Sequence, residues 1–424
     1  MQPARHCGLD FGTSNSTLGT AHGNEAPRLT PLEDGRPTIP SVVFFDFDDD
    51  SLLFGRRAVA AYITGAQGRM MRSLKSILGT SLGDEATRIK RRVVPFLDIL
   101  GMFIAELKAR AEADAGVSLD QVVVGRPVHF VDGNPDADSE AQRQLEQAVR
   151  AQGFREIEFQ YEPIAAALDH EQRVDREELG LIVDLGGGTS DFSIVRMSPE
   201  RARAADRQAD ILATAGVHIG GTDFDRLLSL RAVMPELGYQ TPTVDGKRPL
   251  PSGPYVDLST WHRINRLYTP ELLRELRHTE REARDPERAR RMTSIVAHRE
   301  GHRLIGAVEG AKIDLTQVAA TRLAFEGEEV DLSTPVTRQD LDGAIADQVE
   351  RIEHTIGEVL RAAGLGADGI ETLILTGGST QIPAIMAMLN RVFAQARIVE
   401  SDAFGSVGIG LALDARRKFG PAIA

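Results

Sequence analysis

Two short segments place an aspartate, a glycine-containing turn and small hydroxyl residues in the same order. The first runs Asp10-Phe11-Gly12-Thr13-Ser14-Asn15, and the second runs Asp184-Leu185-Gly186-Gly187-Gly188-Thr189-Ser190-Asp191. Glycine lets backbone N–H groups approach an anion without a Cβ in the way. Carboxylates beside such a turn suit a hydrated magnesium ion. Each segment therefore predicts a phosphate-and-magnesium hairpin, although an ordinary glycine-rich β-hairpin would show the same pattern.

The flanking residues predict the strands that would hold these turns. Leu181-Ile182-Val183 is an apolar run typical of a buried strand, and Phe192-Ser193-Ile194-Val195 predicts a returning strand. A short strand also ends at Asp10. Two similar hairpins roughly 170 residues apart indicate a duplicated α/β unit with a cleft between the copies. Neither is a Walker A loop, because no Gly-Lys-Ser/Thr sequence follows.

Length and charge limit the classes of protein that this chain could represent. A chain of 424 residues exceeds the usual size of one hydrophobic core, so two lobes are expected. Hydrophobic residues make up 42% and charged residues 26%, which is ordinary for a globular protein. The net charge of −13 argues against nucleic acid and against an anionic membrane as partners.

Cysteine usage and the hydropathy pattern bear on location. Cys7 is the single cysteine, which excludes an internal disulfide, fits a reducing compartment and predicts a small buried residue on the first strand. The first residues contain no apolar core long enough for a signal peptide, and no run of 18 apolar residues occurs. We therefore expect a cytoplasmic protein.

Three helices and one atypical segment complete the interpretation. Apolar spacing predicts helices at Ile99–Ala115 and Val407–Phe419, and a third at Asp340–Ala363. The segment 231–303 begins with a proline- and glycine-rich loop and then becomes strongly charged, which favours a solvated helix face over a partner-docking insertion. The third helix has one apolar face, formed by Leu341, Ile345, Val349, Ile352, Ile356 and Leu360.

The pair of hairpins resembles the phosphate-binding signature of the actin-like ATPase superfamily. Several further segments resemble the seventy-kilodalton heat-shock chaperone family, in that family's order and over nearly the whole chain. With the family's own segment in parentheses, they are Arg36–Val43 (a threonine-proline-serine segment), Lys75–Gly79 (KRLIG), Val122–Phe130 (a strand and proline before a helix), Glu162–Leu168 (EPTAAAL), His218–Asp225 (LGGEDFD), Glu309–Thr316 (EKAKIELS) and Leu375–Pro383 (the VGGSTRIP loop).

The resemblance implies an α/β fold of the actin-like ATPase type, with two ribonuclease-H-like lobes flanking a nucleotide cleft. Lobe I would span residues 1–178, with a smaller subdomain at about 39–117. Lobe II would span 179–400, with a smaller, insertion-bearing subdomain at about 229–336. Residues 401–424 would form a C-terminal helix that returns to lobe I.

The same resemblance implies catalytic and metal-binding roles for specific residues. Lys75 would supply a fixed positive charge near the γ-phosphate, and Asp191 would orient the attacking water. Considered alone, Lys75 could equally be a surface lysine, and Glu162 a helix N-terminal acid stabilised by the helix dipole. The implied catalytic set is Lys75, Glu162, Asp184, Thr189 and Asp191, and the implied metal set is Asp10, Glu162 and Asp184.

Nucleotide contacts are implied along the whole chain. The implied cofactors are ATP or ADP with Mg²⁺, and also K⁺ as in the resembled family. Gln381 stands where the family has an arginine that stacks on adenine, and Gly310 replaces a basic residue, so we expect adenine to be held more weakly or differently. The implied contacts are Gly12, Thr13, Ser14, Asn15, Gly186, Gly187, Gly188, Gly220, Gly221, Glu309, Lys312, Thr316, Gly377, Gly378, Ser379 and Gln381.

The favoured function is a slow, chaperone-like Mg-ATPase whose lobes close according to nucleotide state. The sequence given ends at Ala424, soon after the last predicted helix, so peptide binding and stimulation by J-domain co-chaperones are not expected. One alternative is a sugar-type small-molecule kinase of the same superfamily, although no substrate motif is found. The other is a non-hydrolysing ATP-bound scaffold whose 231–303 insertion docks a protein partner.

Overall fold

The computed structural model describes residues 5–21, 25–131, 133–204, 206–399 and 405–420. The chain divides into two compact units. The first comprises Met1–Val217, Thr355–Thr380 and Val392–Ala424, and the second comprises His218–His354 and Gln381–Arg391. The predicted C-terminal segment 401–424 lies partly outside the described residues, but its helix is present at Ser406–Phe419.

The strands and helices of the described residues are as follows. The strands are β1 (His6–Phe11), β2 (Asn15–Thr20), β3 (Arg28–Leu29), β4 (Thr38–Pro40), β5 (Val42–Asp46), β6 (Leu52–Phe54), β7 (Gly68–Arg72), β8 (Ala86–Ile89), β9 (Arg92–Pro95), β10 (Gln121–Arg126), β11 (Glu156–Tyr161), β12 (Glu178–Leu185), β13 (Ser190–Met197), β14 (Ile211–Val217), β15 (Ala320–Glu326), β16 (Asp331–Thr337), β17 (Thr372–Thr376) and β18 (Arg397–Val399). The α-helices are α1 (Gly55–Ile63), α2 (Phe96–Ala115), α3 (Pro135–Ala151), α4 (Glu162–Glu171), α5 (Gly221–Leu228), α6 (Gly253–Leu258), α7 (Pro270–Glu282), α8 (Pro286–Ala297), α9 (Gly301–Gln317), α10 (Arg338–Ala362), α11 (Pro383–Val392) and α12 (Ser406–Phe419).

Two sheets of the first unit repeat one strand pattern. In one sheet the order is β11-β10-β1-β2-β3, with β4 also paired to β2. In the other sheet the order is β14-β13-β12-β17-β18. In each, a central strand pairs antiparallel with the strand that follows it in the chain and parallel with a later one: β1 with β2 and β10, and β12 with β13 and β17. This repetition confirms the predicted α/β fold of the actin-like ATPase type.

Apolar side chains between strands and helices form the core of the first unit. One cluster joins the first sheet to α2 and α3 and includes Leu9, Phe103, Val122 and Leu145, all fully buried. A second cluster joins α4 to the other sheet through Ile164, Ile182 and Val195. The strands that carry the two turns are therefore held from behind by dense packing, as a binding site on rigid elements requires.

Several local predictions are confirmed. The Leu181–Val183 run lies within β12 and its returning partner within β13, as expected. Helix α2 ends at Gly116, whose φ of 68° closes the helix in a left-handed cap. Cys7 is fully buried on β1, and burial raises the pKa of its thiol. On α10, Leu341, Ile345, Ile352, Ile356 and Leu360 are buried and Val349 is half-buried.

The second unit contains the segment 231–303. Within it, α6, α7 and α8 follow short irregular turns, and α7 exposes nearly all of its charged side chains, with Leu276 as its buried residue. The strongly charged run at 281–291 spans the end of α7 and the start of α8. Some of its side chains are solvated, but Arg288 and Arg291 are half-buried and donate to the backbone carbonyls of Pro235 and Glu236. The lobe boundaries at 178 and 400 stay a prediction.

Among the described residues, none of the helices combines the length and the apolar character that crossing a membrane would require.

Candidate functional site

The two predicted turns lie against each other within the first unit. A Cβ at Gly187, in the second turn, would lie 2.4 Å from the Ser14 hydroxyl oxygen in the first. The first turn is braced by Ser41, whose hydroxyl donates to the Gly12 carbonyl at 2.7 Å and whose backbone N–H donates to the Ser14 carbonyl at 2.9 Å. Glycine at position 187 thus allows the two turns to approach closely, since a Cβ there would force the Ser14 hydroxyl to move.

A buried ion pair lies beside the ends of β1 and β12. Lys75 is on a short 3-10 helix (Leu74–Ile77), and its ammonium nitrogen is 2.5 Å from a carboxylate oxygen of Glu162, the first residue of α4. Their side chains are only 10% and 17% exposed. The roles predicted for Lys75 and Glu162 need both side chains to lie in the site rather than on the surface. The structure places the two side chains in contact.

Four carboxylates share this region and influence one another. Burial raises the pKa of Asp10 to about 7, and the charges of Glu162 and Asp184 add to that while Lys75 opposes it. Burial, followed by the charges of Asp191 and Glu162, raises the pKa of Asp184 to about 7. Burial by itself would lower the pKa of Lys75, but Glu162 and Asp10 outweigh it and raise that pKa. The site thus holds more negative charge than it neutralises.

A cavity of about 330 Å³ opens beside these groups in the first unit. Glu162, Asp184, Asp191 and Thr376 line it together with apolar side chains such as Ile182. A mixed lining with a few convergent polar groups is typical of a ligand site.

The donor set fits a hydrated divalent cation. The carboxylates are crowded and have raised pKa values, and the buried Thr376 hydroxyl beside them has no close hydrogen-bond partner in the described chain. A bound cation would offset the repulsion between these carboxylates. Within the described residues no three potential ligands converge closely enough to bind a metal directly. Asp10, Glu162 and Asp184 would therefore hold Mg²⁺ through its water shell, as this reluctantly dehydrated ion often requires.

A glycine turn after β17 supports the second hairpin. Gly377 has a φ of 79°, and the hydroxyl of Ser379 donates to the Gly186 carbonyl at 3.3 Å. A Cβ at Gly377 would lie 2.2 Å from the Leu185 carbonyl oxygen and 3.0 Å from an Asp184 carboxylate oxygen. The turn can approach Asp184 because residue 377 has no side chain.

Replacing Gly377 by alanine should lower the thermal midpoint clearly more than replacing Gly364. Both residues have positive φ, 79° and 69°, so each alanine carries about 1–2 kcal/mol of backbone strain. A Cβ at Gly364 meets no atom within 4 Å, whereas one at Gly377 collides with backbone. Calorimetry of both variants measures the difference, and equal midpoints would show that the turn yields without cost.

The remaining predicted contacts lie mainly in the second unit. Gly220 and Gly221 begin α5, where the Gly220 N–H donates to the Asp223 carboxylate at 3.1 Å. On α9, Glu309 is exposed, and Lys312 forms a buried ion pair of 2.8 Å with Asp225. The Thr316 hydroxyl donates to the Ile313 carbonyl, and Gln381 is exposed. Lys312 is thus oriented toward its own unit.

Sequence reasoning missed two residues, Thr376 and Asp225. Thr376 ends β17, a strand with a threonine at each end, and only the parallel register with β12 places it beside Asp184. Asp225 lay inside a motif that was examined for its glycines, and nothing local indicates that it pairs with Lys312.

The repeated sheets and the facing glycine turns define a protein of the actin-like ATPase class. A family model described as "Hsp70 protein" matches residues 96–234 and 287–419. The chain belongs to the Hsp70 family. The unmatched residues 235–286 fall within the segment 231–303 that was least typical in sequence.

The chain is also similar to a curated protein over most of its length. The chain is 27% identical over 429 aligned positions to the chaperone protein HscA of Pectobacterium atrosepticum. That match covers 96% of this chain but 57% of HscA, so the chain spans a little over half of that relative's length.

Proposed function

We propose that this chain is a slow, magnesium-dependent ATP hydrolase of the chaperone type. The observation that carries the proposal is the contact between the Ser14 and Gly187 turns, beside the Lys75–Glu162 ion pair. Two glycine turns that face each other can enclose a polyphosphate from both sides with backbone N–H groups. Membership of the Hsp70 family supports a nucleotide as the ligand.

In this proposal the two turns bind the phosphates, and positively charged groups offset the negative charge of the phosphates. Backbone N–H groups and hydroxyls of Thr13, Ser14 and Asn15 would hold the phosphates from one side, and residues 186–189 from the other. Phosphoryl transfer needs mainly positioning and charge stabilisation, and Lys75 is placed to supply a fixed cation. When bound, Mg²⁺ would offset the charge of the phosphates and of the carboxylates around them.

Asp191 is the proposed residue for orienting the attacking water. It lines the cavity together with Asp184 and is the paired residue of Asp184 in the antiparallel register of β12 and β13, so both side chains project from the same face of the sheet. Thr189 and Glu162 complete the proposed set. Positioned acid–base groups of this kind contribute factors of about 10²–10⁴.

The proposed output is a conformational change that follows nucleotide state. A ligand shifts an equilibrium only by its differential affinity for the two states, so ATP and ADP would favour different arrangements of the predicted lobes. Docking of a protein partner on the segment 231–303 belongs to the alternative scaffold function.

Cofactor and location complete the proposal. Potassium beside Mg²⁺ follows from the resemblance alone. Cys7 is the single cysteine of the sequence and is buried without a disulfide, and a chain with so little cysteine suits the reducing cytoplasm.

Two measurements test the proposal. Millimolar Mg-ATP should raise the thermal midpoint, because a ligand at 100 times its dissociation constant adds about 2.7 kcal/mol of stability. Single-turnover assays with radiolabelled ATP should then release phosphate without any added metabolite. An unchanged midpoint would exclude nucleotide binding. A raised thermal midpoint without hydrolysis would favour the non-hydrolysing scaffold. Hydrolysis that occurs only with an added sugar would indicate a kinase.

Replacing Gln381 by arginine should tighten ADP binding about 2–5-fold. Gln381 is exposed in the second unit and stands where the resembled family has the adenine-stacking arginine. A cation over an exposed ring system contributes about 0.5–1 kcal/mol. Isothermal titration with ADP measures the change, and Gln381→Ala is the matched control for loss of the glutamine. If both variants bind alike, residue 381 does not contact the base.

A further inference from the structure

Thr376 lies directly beside Asp184. It is the last residue of β17, and in the parallel register of β12 and β17 its Cα partner is Asp184. Paired residues of neighbouring strands project from the same face of a sheet, so both side chains point into the cavity that they line. Thr376 is 3% exposed.

The carboxylate beside the Thr376 hydroxyl is that of Asp184. Asp184 is the paired residue of Thr376 on the neighbouring strand and lines the same cavity, so a hydrogen bond from Thr376 would lower the pKa of Asp184, against the larger effect of burial. Within the described chain the Thr376 hydroxyl makes no close hydrogen bond of its own. Hydrogen bonds at catalytic sites are often long without ligand and shorten in the loaded complex. A buried hydroxyl in this state costs free energy, so its presence needs a compensating role.

In the resembled VGGSTRIP segment the position of Thr376 is a valine, which has the same shape but cannot donate a hydrogen bond. The exchange of a methyl group for a hydroxyl changes the chemistry beside Asp184 without changing the volume.

We propose that Thr376 is a positioning residue that fixes the Asp184 carboxylate by a hydrogen bond and so strengthens the binding of the divalent cation that accompanies the nucleotide. The inference rests on the proposed function, because Asp184 is a proposed contact of that cation. Residues that orient metal-binding carboxylates typically account for 10–100-fold in metal affinity.

The experiment measures Mn²⁺ binding by electron paramagnetic resonance, with ADP present in excess over the full-length protein. The variants are Thr376→Val, Thr376→Ser and, as a matched control, Thr372→Val. Thr372 lies at the other end of β17, is fully buried, and donates to Glu178 instead. We expect Mn²⁺ to bind about tenfold more weakly to Thr376→Val. Binding to Thr376→Ser and Thr372→Val should stay within about twofold of wild type, because both retain the hydroxyl beside Asp184.

The outcomes separate this inference from the proposed function. Wild-type protein that binds no Mn²⁺ with ADP would overturn both. Wild-type binding with an equal affinity in Thr376→Val would overturn the positioning role alone. Weaker binding in Thr372→Val to the same extent, or no recovery in Thr376→Ser, would mean that any change in β17 disturbs the site, and would also overturn it. Metal-free ADP affinity should be equal in all four proteins, which excludes general damage.

Discussion

Replacing Lys75 by methionine is expected to lower the single-turnover rate of ATP hydrolysis by about 10²–10³-fold, while ADP binding changes little. Removing one fixed electrostatic group from a transition-state site typically has this effect. The Lys75 ammonium is 10% exposed and lies 2.5 Å from Glu162, so the low dielectric around it strengthens its field. Methionine keeps the length of the side chain and removes the charge.

The loss of charge must be separated from the exposure of an unpaired carboxylate. Lys75→Met leaves Glu162 buried without its partner, which destabilises the fold. The double variant Lys75→Met/Glu162→Gln removes both charges, so its stability should recover while its hydrolysis stays low. Lys90→Met is the matched control, because Lys90 is a lysine on a surface turn that pairs with Asp50. Hydrolysis by Lys75→Met within fivefold of wild type would contradict the role.

Much of the fold could be predicted because its signals are local. Apolar runs at 181–183 and 192–195 and the apolar spacing of α10 specify strands and a helix directly. The similarity of the two aspartate-glycine turns then indicated a repeated unit, and the two sheets have the same strand pattern. Local patterns were sufficient here because consecutive apolar residues mark strands that are buried on both faces, whereas helical apolar spacing marks a helix with one buried face.

Contacts between distant residues could not be predicted in the same way. The partner of Lys75 is 87 positions away, and that of Lys312 is Asp225 on a different helix. No residue pattern near either lysine distinguishes a buried ion pair from a solvated side chain. Thr376 was missed for a related reason: its proximity to Asp184 depends on the register of two parallel strands, and a crossover of nearly 190 residues separates them.

The acidic site should make the ligand-free protein less stable as pH rises from 5 to 8. The pKa values of Asp10 and Asp184 are raised from 3.8 to about 7, so the folded state binds more protons than the unfolded state between these values. The free energy of unfolding then falls as pH rises through this window, and the fall is complete above about pH 7. Each carboxyl lowers the free energy of unfolding by up to about 3 kcal/mol between pH 5 and 8, and solvent screening at partly exposed groups makes this decrease smaller.

Urea unfolding at several pH values measures this dependence, and Asp184→Asn isolates one of the two groups. Asparagine cannot ionise, so at pH 8 the variant should be more stable than wild type without ligand, although it disrupts the proposed hydrolysis. Exposed Asp368, changed to asparagine, serves as the control and should leave the pH dependence unaltered. Mg²⁺ with ADP should flatten the wild-type dependence, because a bound cation favours the ionised carboxylates. A wild-type stability that rises from pH 5 to 8, with the same pH dependence in Asp184→Asn, would contradict the charge crowding inferred at Asp10 and Asp184, because carboxyls held protonated by the fold make stability fall as pH rises.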